Sequence, residues 1–250
     1  MRVDPRLARS ALVNGLAGLV LAQVLGLILK SWLGLSDTYL LKVMAATGLV
    51  LGLLGHFLPW HGPRNRLGPA NQVTLARAIL TALLVALAGE GTAGVEPALA
   101  WTAFSLALVA AALDGLDGEL ARRLDWASPL GARFDMEVDA LLVAGLALVV
   151  WSLDRAGVWV LAAGAMRYLF VAAGAFLPWL RRPLPPSRRR QTICVVQVLS
   201  LTLALAPPLP TSWAPWVAAL GLASLTWSFG VDLRFLARSQ GEKPGRTEAR

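Results

Sequence analysis

Eight apolar stretches, at about 11–29, 39–60, 72–89, 95–113, 136–153, 157–180, 191–207 and 212–236, fill this chain almost from end to end. A helix needs about 20 apolar residues to cross the hydrocarbon of a bilayer. Most of the stretches approach or exceed that length. Those at 95–113, 136–153 and 191–207 reach it if their polar ends continue as helix. Lipid offers no water to satisfy backbone N–H and C=O groups, so a lipid-crossing segment of this kind closes its hydrogen bonds within a helix. The chain therefore reads as all-α, a polytopic membrane bundle of eight helices. Composition agrees, since 56% of the 250 residues are hydrophobic and only 15% are charged. A soluble domain is about 25% charged. Disordered chains, disulfide scaffolds and ordinary soluble enzymes are thereby excluded. The single cysteine, Cys194, lies in an apolar run, has no partner for an internal disulfide and reads as a core residue.

The connections between the stretches alternate in charge. Arginines precede the first stretch (Arg2, Arg6, Arg9) and follow the second (Arg64, Arg66). They also follow the fourth (Arg122, Arg123), the sixth (Arg181, Arg182 and Arg188 to Arg190) and the eighth (Arg234, Arg238). The other connections hold Lys30, Asp37 and Lys42, then Glu90 and Glu96, then Asp154 and Arg155, then the uncharged turn Pro207–Pro215. Basic loops stay in the cytoplasm, so both termini are expected there, and an odd number of spans would scramble the pattern. A bacterial inner membrane is the expected location. The net charge of +8 is accounted for by topology, and no basic groove with interleaved aromatics points to nucleic acid. The basic start, Met1–Ser10, leads into an apolar run too long for a signal-peptide core and reads as a retained anchor. The polar joint HGPRNRLGP, His61–Pro69, sets off residues 1–60, two helices, from residues 61–238, six helices; residues 239–250 read as a basic, disordered cytoplasmic tail.

In this charge-poor chain, seven of the 15 acidic residues lie between Asp114 and Asp139. At about 100° per residue, Asp114, Asp117, Gly118, Ala121 and Arg122 share one helix face about 140° wide. Leu116 and Leu120 point the other way. Ser128-Pro129 breaks that helix, and a second begins near Gly131. Asp135 and Asp139 are one turn apart on it and share a face. The two helices are expected to be antiparallel neighbours, with four aspartates converging at a cytoplasmic turn. Intramembrane carboxylates are costly unless paired, and a set of hard oxygens suits Mg²⁺ or Mn²⁺.

The spacing Asp114-x2-Asp117-Gly118-x2-Ala121-Arg122-x8-Gly131-x3-Asp135-x3-Asp139 resembles the signature of the CDP-alcohol phosphotransferases. Upstream, Asn71-x-x-Thr74-x-x-Arg77 is similar to the segment that opens the first core helix in many members. The resemblance covers about 67–236 and leaves residues 1–60 outside. It implies a six-helix core and the transfer of a substituted phosphate from a CDP-alcohol, such as CDP-diacylglycerol, to a small or phosphorylated alcohol with release of CMP. Carried over by position, Asp114, Asp117, Asp135 and Asp139 would hold two Mg²⁺ or Mn²⁺ ions. Asp139 would also be the base for the acceptor hydroxyl. Asp117, Gly118, Ala121, Arg122 and Gly131, with Asn71 and Thr74, would line the nucleotide site.

Other charges are read more plainly. Glu119 and Asp125 are solvated. Glu137 pairs with Arg133 one turn earlier, the alternative being that Arg133 binds an anionic acceptor. Arg167, deep in the 157–180 stretch, is expected to bind an acceptor phosphate, with Asp232 as the rival structural partner. Synthases that use glycerol 3-phosphate tend to read Asp-Pro-x-Ala-Asp-Lys at the last two aspartates, and serine-using members Asp-Ser-x-x-Asp. Here the segment is Asp135-Met136-Glu137-Val138-Asp139-Ala140, so neither acceptor is indicated. The first two helices could cover the lipid-facing flank or form a homodimer contact. Two other classes stay open on the residues alone: a membrane prenyltransferase with a metal-bound diphosphate, and a non-enzymatic ion-binding membrane protein.

Overall fold

A computed structural model describes residues 4–61, 65–91, 96–123, 126, 128–182 and 184–238, with backbone alone for Glu96 and residues 116–122. The described residues form eight α-helices and no strand: α1 Pro5–Leu33, α2 Tyr39–Phe57, α3 Pro69–Ala86, α4 Glu96–Arg123, α5 Pro129–Ser152, α6 Leu161–Phe176, α7 Arg188–Leu205 and α8 Ala214–Arg238. Short 3-10 turns extend α2, precede α6 and precede α7. Local chemistry sets the ends. Asp4 caps α1 by accepting from the Arg6 N–H at 2.7 Å, Pro5 occupies the first turn, and Gly34 closes the helix in the left-handed region. The break expected at Ser128-Pro129 is there: Ser128 caps α5 and its Oγ accepts from the Gly131 N–H at 3.0 Å.

Six of the helices are long and apolar enough to cross a membrane on composition alone: α1, α2 with its 3-10 extension, α3, α4, α6 with the turn before it, and α8. Helices α5 and α7 lack a charge-free run of that length because α5 carries Asp135, Glu137 and Asp139 and α7 opens on Arg188, Arg189 and Arg190. The outer surface is apolar, with Leu12, Val20, Leu169 and Leu220 exposed, which suits lipid rather than water. The chain is a multi-pass membrane protein.

Helix α3 is the axis of the bundle. Of its span 67% is buried, against 22% for α1 and for α2. It packs on α4, α5, α2 and α1, whereas α4 and α5 touch each other only in passing. The expectation that α4 and α5 are direct neighbours is therefore corrected: α3 lies between them. Its small residues, including Ala70, Ala78 and Ala82, let the surrounding helices approach closely. Its threonines close bonds within the helix, Thr74 Oγ1 to the Ala70 carbonyl at 3.1 Å and Thr81 Oγ1 to the Arg77 carbonyl at 3.0 Å.

Polar ties fasten α1 and α2 to this axis at both ends. At one end the Leu67 N–H donates to Ser10 Oγ at 3.2 Å and Gln72 Nε2 donates to Asn14 Oδ1 at 2.9 Å. At the other end Glu90, buried in the connection after α3, receives the Ser36 N–H at 2.8 Å, Ser36 Oγ at 2.9 Å and Lys42 Nζ at 2.6 Å. The connections α1–α2 and α3–α4 thus lie at the same end, as their charge pattern implied. Burial pushes the Glu90 carboxyl up, but the bonds from Lys42 and Ser36 outweigh it and hold it below its ordinary value of 4.5. A depressed carboxyl stabilises the folded state fully above its unfolded value and loses that contribution as pH falls through the folded one. Replacing Glu90 with Gln is expected to cost about 1–3 kcal/mol of stability at neutral pH. Thermal unfolding in detergent checks this, and the gap between wild type and variant should close as pH falls below 4.5.

Candidate active site

Arg77 occupies the middle of α3 and is wholly buried (0% exposed). Its Nη1 donates to Asp114 of α4 and its Nη2 to Asp135 of α5. Asp139, one turn further along α5, places Oδ1 3.2 Å from the same Nη2. One guanidinium therefore gathers three carboxylates from two helices. Carboxylate oxygens of Asp114, Asp135 and Asp139 all lie within 4.8 Å of one another. Three negative charges so close repel strongly, and Arg77 offsets only one of them. The donor set is entirely hard oxygen, the chemistry that suits Mg²⁺ or Mn²⁺. Arg77 uses Oδ1 of Asp114 and Oδ1 of Asp135, leaving Oδ2 of each for a cation. The residues fit a divalent metal.

The remaining motif positions divide in two. Helix α4 continues unbroken through Asp117, Gly118, Ala121 and Arg122, but the side chains of these four lie outside the described residues. Gly131, Asn71 and Thr74 are described, and the fold brings the first two together. A Cβ on Gly131 would stand 2.6 Å from Asn71 Oδ1, so only glycine allows this approach of α5 to α3. Asn71 is held by its own Nδ2, which donates to the Leu67 carbonyl at 2.6 Å. Beside them Gly68, at φ +81, lies under the Trp126 ring, which a Cβ would meet at 2.3 Å. Trp126, from the connection between α4 and α5, thereby covers the start of α3.

Beyond Asp139 opens a cavity of about 570 Å³ between α5, α6, α7 and α8. Asp139, Arg167, Arg190, Gln197, Ser228 and Asp232 line it, among apolar side chains such as Val143, Phe170 and Phe229. Cys194 lines it too, half-buried, rather than sitting in the core. Two pairings read from the sequence are corrected here. Glu137 does not pair with Arg133; it accepts from Nη2 of Arg167 across the α5–α6 interface. Arg133 instead lays its guanidinium over the Trp60 ring, 3.7 Å from the centroid, and is not part of the cavity wall. Asp232 does not pair with Arg167; it accepts from Arg189 Nη2 and lies 3.4 Å from Arg190 Nη1. The physical reason is common to both. An arginine within a bundle must find a carboxylate across a helix interface, and that need outweighs a surface i, i+4 pair worth a few tenths of a kcal/mol.

Two side chains at this site had no role assigned from sequence. Arg77 had a signal, a guanidinium in mid-span that demands acidic partners. Gln197 had none, because an amide in an apolar run looks like any tolerated polar residue.

Comparison with known proteins agrees with this geometry. Residues 68–227 match the family model for CDP-alcohol phosphatidyltransferase. A Pseudomonas fluorescens protein named CDP-diacylglycerol–glycerol-3-phosphate 3-phosphatidyltransferase is 36% identical over 141 residues, which cover 52% of this chain and 69% of the relative. No solved structure matches. The chain belongs to the CDP-alcohol phosphatidyltransferase family and is a phosphotransferase of the phospholipid-synthesis type.

Removing the charge at Arg77 tests whether it holds the site together. Arg77→Met leaves three carboxylates facing one another and is expected to destabilise by about 3–5 kcal/mol. Thermal unfolding in detergent measures the loss, and an unchanged midpoint would remove Arg77 from this role.

Proposed function

We propose that the chain transfers the phosphatidyl group of CDP-diacylglycerol, or the substituted phosphate of another CDP-alcohol, to an acceptor alcohol and releases CMP. The observation that carries this reading is the double position of Asp139. It belongs to the carboxylate cluster gathered by Arg77 and also to the wall of the cavity between α5 and α8. An alcohol in that cavity would present its hydroxyl to Asp139, and the diphosphate would lie against the cluster.

The protein's residues divide the work. Asp139 takes the acceptor proton as the new oxygen–phosphorus bond forms and the bond to the CMP oxygen breaks. A carboxylate is a weak base for an alcohol, and it suffices when the proton leaves in step with bond formation. Asp114, Asp117, Asp135 and Asp139 would hold two Mg²⁺ or Mn²⁺ ions, which when bound neutralise the diphosphate and make CMP a better leaving group. Asp117, Gly118, Ala121 and Arg122 on α4 would line the nucleotide, with Gly131, Asn71 and Thr74 behind it. The contact of Asn71 with Gly131 supports this, since it fixes α3 and α5 at the close spacing that wall needs. Arg167 faces the acceptor side. Residues 61–238 would form the transferase core and residues 1–60 a two-helix extension. The arginine-rich connections support a reading in which the site and both termini lie on the cytoplasmic side of a bacterial inner membrane, where a lipid donor and a water-soluble acceptor would meet.

Purified protein with CDP-diacylglycerol, Mg²⁺ or Mn²⁺ and a panel of alcohols should release CMP. Chelation by EDTA should stop it, and added Mg²⁺ or Mn²⁺ should restore it. Asp139→Asn should lower the rate by about 10²–10⁴ while the protein stays folded. CMP release from no acceptor, or an Asp139→Asn variant as active as wild type, would sink the reading.

A further inference from the structure

We infer that the acceptor is an uncharged polyhydroxyl alcohol, that Gln197 and Arg167 bind its hydroxyls, and that Glu137 excludes phosphorylated acceptors by occupying Arg167. The inference rests on the transfer reading above and names its acceptor.

The first observation is a charge balance. Among the described residues, each arginine on or directly behind the cavity wall already has a carboxylate partner. Arg167 is paired with Glu137, and Arg190 reaches Asp232 at 3.4 Å and the Pro185 carbonyl. Arg189 donates to Asp232, to the Ser228 carbonyl at 2.6 Å and to Ser228 Oγ at 3.1 Å. Arg188 is exposed and does not line the cavity. Glu137 thus engages Arg167, Asp232 engages both Arg189 and Arg190, and Asp139, held in the cluster by Arg77, adds a further negative charge to the wall. A phosphate monoester carries a charge of about −1.5 to −2 at neutral pH. To bind here it must compete with Glu137 and Asp232 for the guanidiniums they hold and lie close to the carboxylates of Asp139 and Asp232, between apolar walls where an unpaired charge is costly.

The second observation is what remains unpaired. Gln197 is buried (1% exposed), yet neither its Nε2 nor its Oε1 has a hydrogen-bond partner. The Nε of Arg167 is also buried without one. Space is kept open around the amide by Gly221 of α8, where a Cβ would stand 2.8 Å from the Ser200 Cβ and 3.1 Å from Gln197 Oε1. Buried polar groups are almost always satisfied, and an orphaned one costs about 1–3 kcal/mol. A bound ligand that satisfies an amide must both donate and accept. A hydroxyl does both, whereas a fully ionised phosphate only accepts and leaves Oε1 unmet. The same hydroxyls can accept from Arg167 Nε without breaking its pair with Glu137. The cavity therefore matches an alcohol with several hydroxyls and no phosphate. One hydroxyl would lie at Asp139 and others at Gln197 and Arg167. Glu137 acts through Arg167 and is a positioning residue.

Matched acceptors decide the matter. CMP release from CDP-diacylglycerol should be measured with glycerol against glycerol 3-phosphate and with inositol against inositol 1-phosphate. Wild type should favour the neutral member by about tenfold or more in kcat/KM, the worth of one well-made hydrogen bond or charge contact. Gln197→Leu should raise KM for the neutral acceptor about tenfold with little change in kcat. Glu137→Gln should lower KM for the phosphorylated acceptor about tenfold, a shift that loss of packing would not produce. The wild-type comparison decides even if a variant fails to fold. Preference for the phosphorylated members would overturn the inference and leave the transfer reading standing. No CMP with any acceptor would overturn both.

Discussion

A guanidinium sealed inside a membrane bundle has to be answered by carboxylates, and among the described residues Arg77 is answered by three. That requirement organises the molecule. It places α3 at the centre, because only a central helix can present one side chain to α4 and α5 together. It brings Asp135 and Asp139, one turn apart on α5, to the same point as Asp114 on α4. Among the described residues the arrangement sets three negative charges against one positive, and that excess suits a site built for stability to attract cations as well. A neutral pair would hold the helices equally well and do nothing else.

Around this centre an apolar interior encloses a minority of polar groups, and the outer surface is apolar as well, unlike that of a soluble domain. Asn71, Thr74 and Arg77 are buried, while Leu12, Val20 and Leu220 are exposed. Lipid supplies no hydrogen bonds, so the polar groups turn inward and meet one another. The first two helices obey the same rule. They dock through Ser10, Asn14 and Gln72 at one end and through Glu90, Ser36 and Lys42 at the other. Their lipid-facing sides carry large apolar residues.

The cavity beyond Asp139 extends the same logic with a different balance. Its arginines are already engaged, Arg167 by Glu137 and both Arg189 and Arg190 by Asp232, whereas the cluster carries more carboxylates than its one guanidinium offsets. The Pseudomonas fluorescens relative is named for a glycerol-3-phosphate reaction. The present chain places Glu137 between the last two aspartates and ties it to Arg167, so a shared core can carry a different acceptor preference. Specificity of this kind follows from occupying a cation as much as from supplying one.

Much of this was legible without coordinates. Helix number and order followed from the length of the apolar runs, the break between α4 and α5 from Ser128-Pro129, and the carboxylate constellation from the spacing of Asp114, Asp135 and Asp139. These depend on local chemistry and on helical periodicity, which a sequence carries directly. Only the tertiary structure decided that α3 separates α4 from α5, that Glu137 turns to Arg167 rather than Arg133, that Asp232 serves Arg189 and Arg190, and that Gln197 is left unpaired in a cavity. Each depends on which helices meet and at what height. That is settled by side-chain shape and buried charge summed over distant segments, and no periodicity within one helix encodes it.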